Sequence, residues 1–274
     1  MNNRSGGFKK PHRKLVLIKG AGDLATGVGH RLHRAGFSVV MTEQERPTVI
    51  RRTVSFARAV FDAEAEVEGV RAKKVGEPDV KKIHEFIDQG IVPVVIDPYL
   101  EMLSQLRPGV FIEATLSKKN SGVSLNYAPL VIALGPGFKA GRDVHAVVET
   151  KRGHDLGRVI YDGEALPNDG MPGPVEGYST ERLIKAPGSG VFKAELAIGD
   201  LVSPGDPVGR VGDTAVRAEI AGVVRGLIQE GLEVKRGMKI GDIDPRMRSD
   251  YCFTISDKAR AVGGGVIEAI MALE

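Results

Sequence analysis

The residues best placed for chemistry are Gly20, Ala21 and Gly22. They stand between an apolar run, Leu15-Val16-Leu17-Ile18, and a stretch with Leu24, Ala25, Val28 and Leu32 at helical spacing. A strand, a tight turn and a helix in that order expose the first N–H groups of the helix, which favour a bound anion. Gly20 permits the turn, Gly22 lets a ligand approach the backbone, and Ala25 fills the small position at the helix–strand contact. Thr26 follows within the first helical turn. Glu43 falls 21 positions beyond Gly22, where an acid meets a ribose hydroxyl in a dinucleotide site. Asp23 puts a negative charge beside the expected phosphate, or else caps the helix. Arg46, Arg51 and Arg52 come soon after Glu43 and suit a phosphorylated ligand better than a bare ribose.

Other chemistry is more scattered. Thr115, Ser117, Lys118, Lys119 and Asn120 follow an apolar run, and the carboxyl end of a strand is where open α/β sheets receive ligands. Gly135-Pro136-Gly137 repeats the glycine-loop logic, although a proline and no clear following helix weaken phosphate cradling. His154 and Asp155 adjoin on a polar turn and read as a loop contact. Cys252 is the only thiol: it reads first as a small buried hydrophobe and second as the candidate catalytic residue. No His/Cys cluster has metal-ligand spacing, so no protein-bound metal is expected.

These residues need a sheet to position them. Strands are expected over 15–19, 37–41, 67–72, 91–96, 110–114, 130–134 and 144–149, with helices over 23–35, from Pro47 to Phe61, 78–89 and 99–106. The proline in Ile91-Val92-Pro93-Val94 places the first half of that strand at an edge. Residues 162–182 are rich in Gly, Pro, Asp and Asn and read as a linker. The fold class is α/β: a Rossmann-like, mostly parallel sheet domain over 1–182, a small all-β domain over 183–245, and a C-terminal helix over 246–274 packing back on the first domain. Within that helix, Gly263, Gly264 and Gly265 would cost about 1 kcal/mol each relative to alanine, so something must need a bare backbone there.

With 274 residues, 27% charged and 42% hydrophobic, the chain can bury a substantial core. A net charge of +3, partly from Arg4, Lys9, Lys10, Arg13 and Lys14, is too small to imply nucleic-acid binding. That basic tail lacks an apolar core, no run is long enough to span a membrane, and one cysteine excludes a disulfide framework. A cytoplasmic location is expected.

Gly190-Val191, Gly199, Val202, Gly205, Val208, Gly209 and Val211 recur 32 positions later as Gly222-Val223, Gly231, Val234, Gly237, Ile240, Gly241 and Ile243. This duplication resembles the biotinyl/lipoyl-type barrel-sandwich hybrid, in which a carrier lysine sits on the hairpin joining the halves. Here the join is Gly212-Asp213-Thr214-Ala215, and no lysine occurs from Ala194 to Val234. No covalent biotin or lipoate is therefore expected, and the module reads as a docking, lid or oligomerisation unit.

Taken together, Ile18 to Gly27, Ile50-Arg51-Arg52-Thr53-Val54, Gly135 to Phe138 and Ile255 to Gly265 resemble the YqeB-type accessory proteins associated with selenium-dependent molybdenum hydroxylases. That resemblance implies a domain related to the XdhC maturation factors. It also implies a molybdenum cofactor, as molybdopterin or its cytosine dinucleotide, with its phosphate near Gly20, Gly22 and Thr26 and neutralised by Arg51 and Arg52. The hydroxylase, other maturation proteins or a second copy of the chain are the implied partners, with no nucleic acid and no membrane. An NAD(P)-dependent oxidoreductase is the alternative, though no Tyr-x-x-x-Lys pair or placed His–Asp dyad supports it. A nucleotide-sensing docking protein without catalysis is the third reading.

Overall fold

The computed structural model describes residues 14–168 and 170–273. Of the basic tail, Arg4, Lys9, Lys10 and Arg13 lie outside the described residues.

The first unit comprises β1 (Leu15–Lys19), α1 (Asp23–Arg34), β2 (Ser38–Glu43), α2 (Ala59–Asp62), β3 (Glu64–Val67), β4 (Val70–Val75), α3 (Val80–Asp88) and β5 (Val92–Ile96). It continues through α4 (Leu103–Leu106), β6 (Val110–Glu113), β7 (Leu130–Leu134), β8 (Lys139–Ala140), β9 (Ala146–Val148), β10 (Val159–Ile160) and β11 (Gly163–Glu164). Nine of these strands form one sheet in the order β10-β9-β7-β6-β1-β2-β5-β4-β3. The inner pairs are parallel, and β3 and β10 close the two edges antiparallel. Alternation along the strands divides the core into two layers. Val16, Ile18, Val39 and Met41 pack with α1, whereas Leu17, Val40, Phe111 and Val131 pack with Ile83 of α3 on the opposite face.

The second unit holds β12 (Leu183–Lys185), β13 (Gly190–Ala194), β14 (Leu201–Val202), β15 (Pro207–Val211), β16 (Thr214–Arg217), β17 (Gly222–Leu227), β18 (Glu233–Val234) and β19 (Lys239–Asp244). They make two four-stranded sheets, β12-β19-β17-β14 and β16-β15-β13-β18. The repeats are interleaved: β14 of the first half pairs with β17 of the second, and β18 of the second pairs with β13 of the first. The chain then returns as α5 (Asp257–Leu273), which lies on α1 and the β7–β9 face of the large sheet.

The seating of α5 explains two of the three consecutive glycines, Gly263 against α1 and Gly265 against the turn at Gly157. A Cβ on Gly265 would lie 2.2 Å from the Gly157 carbonyl oxygen, and one on Gly263 would meet Arg31 and the Gly27 carbonyl. Gly27, on the facing helix, would collide in the same way with Ala259 at 2.6 Å. Gly264 meets nothing within 4 Å.

Three expectations about elements are corrected, and one is met on one side of its strand. The helix expected from Pro47 to Phe61 is broken into short 3₁₀ turns and α2, because residues 50–53 are held by the second unit: the Leu227 N–H donates to the Ile50 carbonyl at 2.8 Å. The helix expected over 99–106 shrinks to α4, since Leu100 takes a left-handed backbone with φ of 61°. β5 is interior to the sheet, but its ladder to β2 begins at Val94, so the first half of the strand, with Pro93, pairs with β4 alone as its proline implied. The expected linker over 162–182 contains β11, which pairs with β8, and a bridge from Val175 to Tyr178.

Candidate functional site

The carboxyl ends of β1, β2 and β6 open into a crevice of about 370 Å³ lined by Lys19, Gly20, Gly22 to Ala25, Thr42 to Gln44, Thr48, Val49, Pro98 and Ala114 to Leu116. Lys19 on β1 and Thr42 on β2 line it, and with their register partner Glu113 on β6, buried beside them, they point to one face because paired residues of parallel strands do. The Lys19 ammonium lies 3.7 Å from Glu113 Oε2. The other carboxylate oxygen, Oε1, accepts from the Thr115 N–H at 3.0 Å and from the Thr115 hydroxyl. Two buried atoms on this row, Thr42 Oγ1 and Glu113 Oε2, have no hydrogen-bond partner among the described residues.

The wall of the crevice is the start of α1. The Thr26 N–H bonds the Gly22 carbonyl, and the preceding N–H groups of Gly22, Asp23, Leu24 and Ala25 find no acceptor among the described residues. Gly20 has φ of 98° and donates to the Thr42 carbonyl at 2.9 Å, which turns the chain from strand to helix. Ala21 donates to Glu43 Oε2 at 3.0 Å, and Gln44 donates to Glu43 Oε1 at 2.8 Å. Burial raises the Glu43 carboxyl above the usual carboxylate range even though those two amides lower it. The crevice thus offers four backbone donors and an ammonium on one side, with the outer lone pairs of a partly desolvated carboxylate on the other.

The remaining expected site residues have other duties. Thr26 is fully buried; its hydroxyl donates to the Ala21 carbonyl at 3.0 Å and accepts from the Phe56 N–H at 2.8 Å. Arg51 is engaged within the protein: its Nη2 donates to the Tyr251 and Thr254 carbonyls, and its Nη1 lies 3.7 Å from Asp23, which accounts for that acid at the helix start. Arg52 donates to the Leu227 carbonyl at 2.7 Å and to Gln229 at 2.8 Å, and Arg46 reaches the Gly231 carbonyl at 2.9 Å. All three arginines face the second unit or its C-terminal exit. Lys118 is exposed and lines no part of the crevice. Gly135 and Gly137 serve packing, since a Cβ on the first would lie 2.5 Å from Thr150 Oγ1 and one on the second 2.8 Å from the Lys118 carbonyl carbon. Cys252 is buried against the Val224 carbonyl and burial pushes its thiol up, the opposite of an activated nucleophile.

Sequence reasoning did not single out Lys19, Thr42 and Glu113. Their one signal is position, as each stands at or next to the last residue of its strand. Among the described residues, no group of three or more His, Cys, Asp or Glu is placed to hold a metal ion. No helix among them is long and apolar enough to cross a membrane.

No family model matches the chain. It is 49% identical over 278 residues to the uncharacterized protein YqeB of Escherichia coli (strain K12), covering 99% of this chain and 51% of that protein. The chain therefore spans about half the length of that curated relative. Similar solved structures include a product-bound ectoine utilization protein EutE (DoeB) from Ruegeria pomeroyi, with 14% identity, 85% of each chain covered and a TM-score of 0.26. A succinylglutamate desuccinylase/aspartoacylase from Rhodobacter sphaeroides matches with 14% identity, 85% of each chain covered and a TM-score of 0.27.

These comparisons correct what the sequence resemblance implied. The relative is described only as uncharacterized, and the solved structures are named as an ectoine utilization protein and succinylglutamate desuccinylases or aspartoacylases, not as an XdhC-type Rossmann-like domain paired with a biotinyl/lipoyl barrel-sandwich. The role as accessory factor to a selenium-dependent molybdenum hydroxylase is withdrawn, together with the NAD(P)-dependent oxidoreductase and nucleotide-sensing docking readings. At these TM-scores the neighbours lend no activity in exchange. Locally, the arginines assigned to a phosphate are bound to backbone carbonyls, and both Glu43 oxygens already accept from amides.

Proposed function

We propose that the crevice at the carboxyl ends of β1, β2 and β6 binds a small organic oxyanion that also carries hydroxyl groups. The observation that supports this reading is the set of four unpaired amides, Gly22 to Ala25, opening on the same hollow as Lys19 and Glu43. A helix start of this kind carries a partial positive charge and directed donors, so the acid group of the ligand sits there. Lys19 adds a full charge held in place by Glu113. Glu43 and Gln44 supply acceptors and a donor for hydroxyl groups on the neighbouring carbons. The volume of about 370 Å³ suits a molecule of a few carbons.

Thermal unfolding with malate, gluconate or glycerol phosphate tests the reading, because ligand at about 100 times its dissociation constant stabilises the folded state by roughly 2.7 kcal/mol. Gly22 has an ordinary φ of −66°, and a Cβ there meets only Val49 at 3.5 Å, so Gly22→Leu keeps the backbone and fills the hollow. The expected outcome is a shift of the melting temperature by at least one of the three in the native chain and no shift in Gly22→Leu. An equal shift in both proteins places the ligand elsewhere.

A further inference from the structure

A second hollow of about 530 Å³ lies beside the loop that carries Pro136 and shares no lining residue with the crevice. Among the described residues, its charged lining residues are Lys151, Arg152 and Lys258, all cations. Arg152 is held by Asp257 in a bidentate pair at 2.8 and 3.0 Å. Lys258, on the first turn of α5, pairs with no carboxylate among the described residues, and burial lowers its ammonium below the ordinary lysine value. The described acids whose charge acts on it are committed elsewhere: Asp23 to Arg51, Asp257 to Arg152, and Glu149 to three backbone amides.

Glu149 is also what builds the hollow. Its Oε1 accepts from the N–H groups of Thr150 and Lys151 at 2.8 and 2.7 Å, and its Oε2 from that of Leu166 at 2.8 Å. One buried carboxylate therefore clamps the start of the 150–153 turn to Leu166, and that turn faces Leu166 to Asn168 and Met171 to Pro174 across the cavity. The rest of the wall is apolar: Pro136, Pro167, Met171, Pro172 and Pro174.

We propose that this second hollow binds a small organic anion of its own, its acid group on Lys258 and its apolar body against the proline- and methionine-lined wall. Desolvating an ammonium without an opposite charge is unfavourable, and an anion in the hollow removes that penalty. An acid group alone leaves the apolar wall wet, so the ligand carries a ring or alkyl body.

Calorimetric titration of the full chain with benzoate, phenyl phosphate and inorganic phosphate tests the site. The first two share the apolar body and differ in the acid group; the third has no body. The expected result is saturable binding of benzoate or phenyl phosphate, tighter than that of inorganic phosphate. Lys258→Met should weaken it by roughly tenfold or more, the scale of one charge-assisted hydrogen bond, whereas Lys258→Arg retains it. Met171 is 62% exposed, so Met171→Glu should leave the fold intact and reduce binding by placing a negative charge on the wall. Gly22→Leu should bind both aromatic anions like the native chain, which separates this site from the first. Undiminished affinity in Lys258→Met, loss in Gly22→Leu, or no saturable binding of either aromatic anion overturns the assignment.

Discussion

Glu43 and His30 illustrate how one side chain near α1 can be committed by its surroundings. Glu43 bridges the amides of Ala21 and Gln44, which fixes the rim of the crevice and leaves only its outer lone pairs for a ligand. His30 is 8% exposed, its Nε2 lies 3.4 Å from the Glu68 carbonyl, and burial lowers its pKa below 6.5. The unfolded chain then binds a proton at this residue before the folded chain does. Stability from neutral His30 is present above about pH 6.5 and falls as the pH drops from there through the lowered folded value. Urea unfolding midpoints measured at about pH 7 and pH 5 should fall on acidification, and His30→Gln should flatten that part of the dependence. An unchanged slope in the variant would assign the loss to other groups.

At the scale of elements, the seating of α5 on α1 and on the turn at Gly157 depends on glycines whose roles differ by position. Gly265→Ala drives a methyl into the Gly157 carbonyl and should cost roughly 1–3 kcal/mol in chemical unfolding. Gly264→Ala meets nothing within 4 Å and should stabilise the helix by up to about 1 kcal/mol. Equal effects at the two positions would contradict the packing. Much of the local pattern was legible from residues alone: the strand over 15–19, the glycine turn and the helix from residue 23 follow from apolar spacing and from the need for a positive φ at Gly20. The segment from Pro47 to Phe61 was not, because its apolar spacing is helical while its arginines are recruited by backbone carbonyls some 175 to 200 positions away. Lys19 and Glu113 were equally hidden, since their pairing depends on a β1–β6 register that only the assembled sheet provides.

Across the whole molecule, Arg46, Arg51 and Arg52 join the large sheet to the second unit through carbonyl oxygens and the Gln229 side chain. Gly226 allows the approach, as a Cβ there would lie 2.7 Å from Ile50 Cγ2. Arg52→Ala removes two hydrogen bonds and should cost roughly 1–3 kcal/mol. Faster amide exchange should appear along β17 but not in β7, and uniform acceleration would mean that the junction is no separate source of stability. The junction also seats the backbone at residues 48–49, which form part of the crevice wall, so the second unit shapes the site without supplying a lining residue. The central claim is that the first amides of α1 are kept for an oxyanion. Its most direct test is titration of the ¹⁵N-labelled chain with gluconate while the Gly22 to Ala25 amide resonances are followed. The double variant Lys19→Met/Glu113→Gln serves as the comparison, because it removes the ammonium without stranding its buried carboxylate. The account predicts saturable downfield shifts of those four amides, with affinity at least roughly tenfold weaker in the double variant. Amides that stay still at saturation, or that move with equal affinity in both proteins, would contradict it.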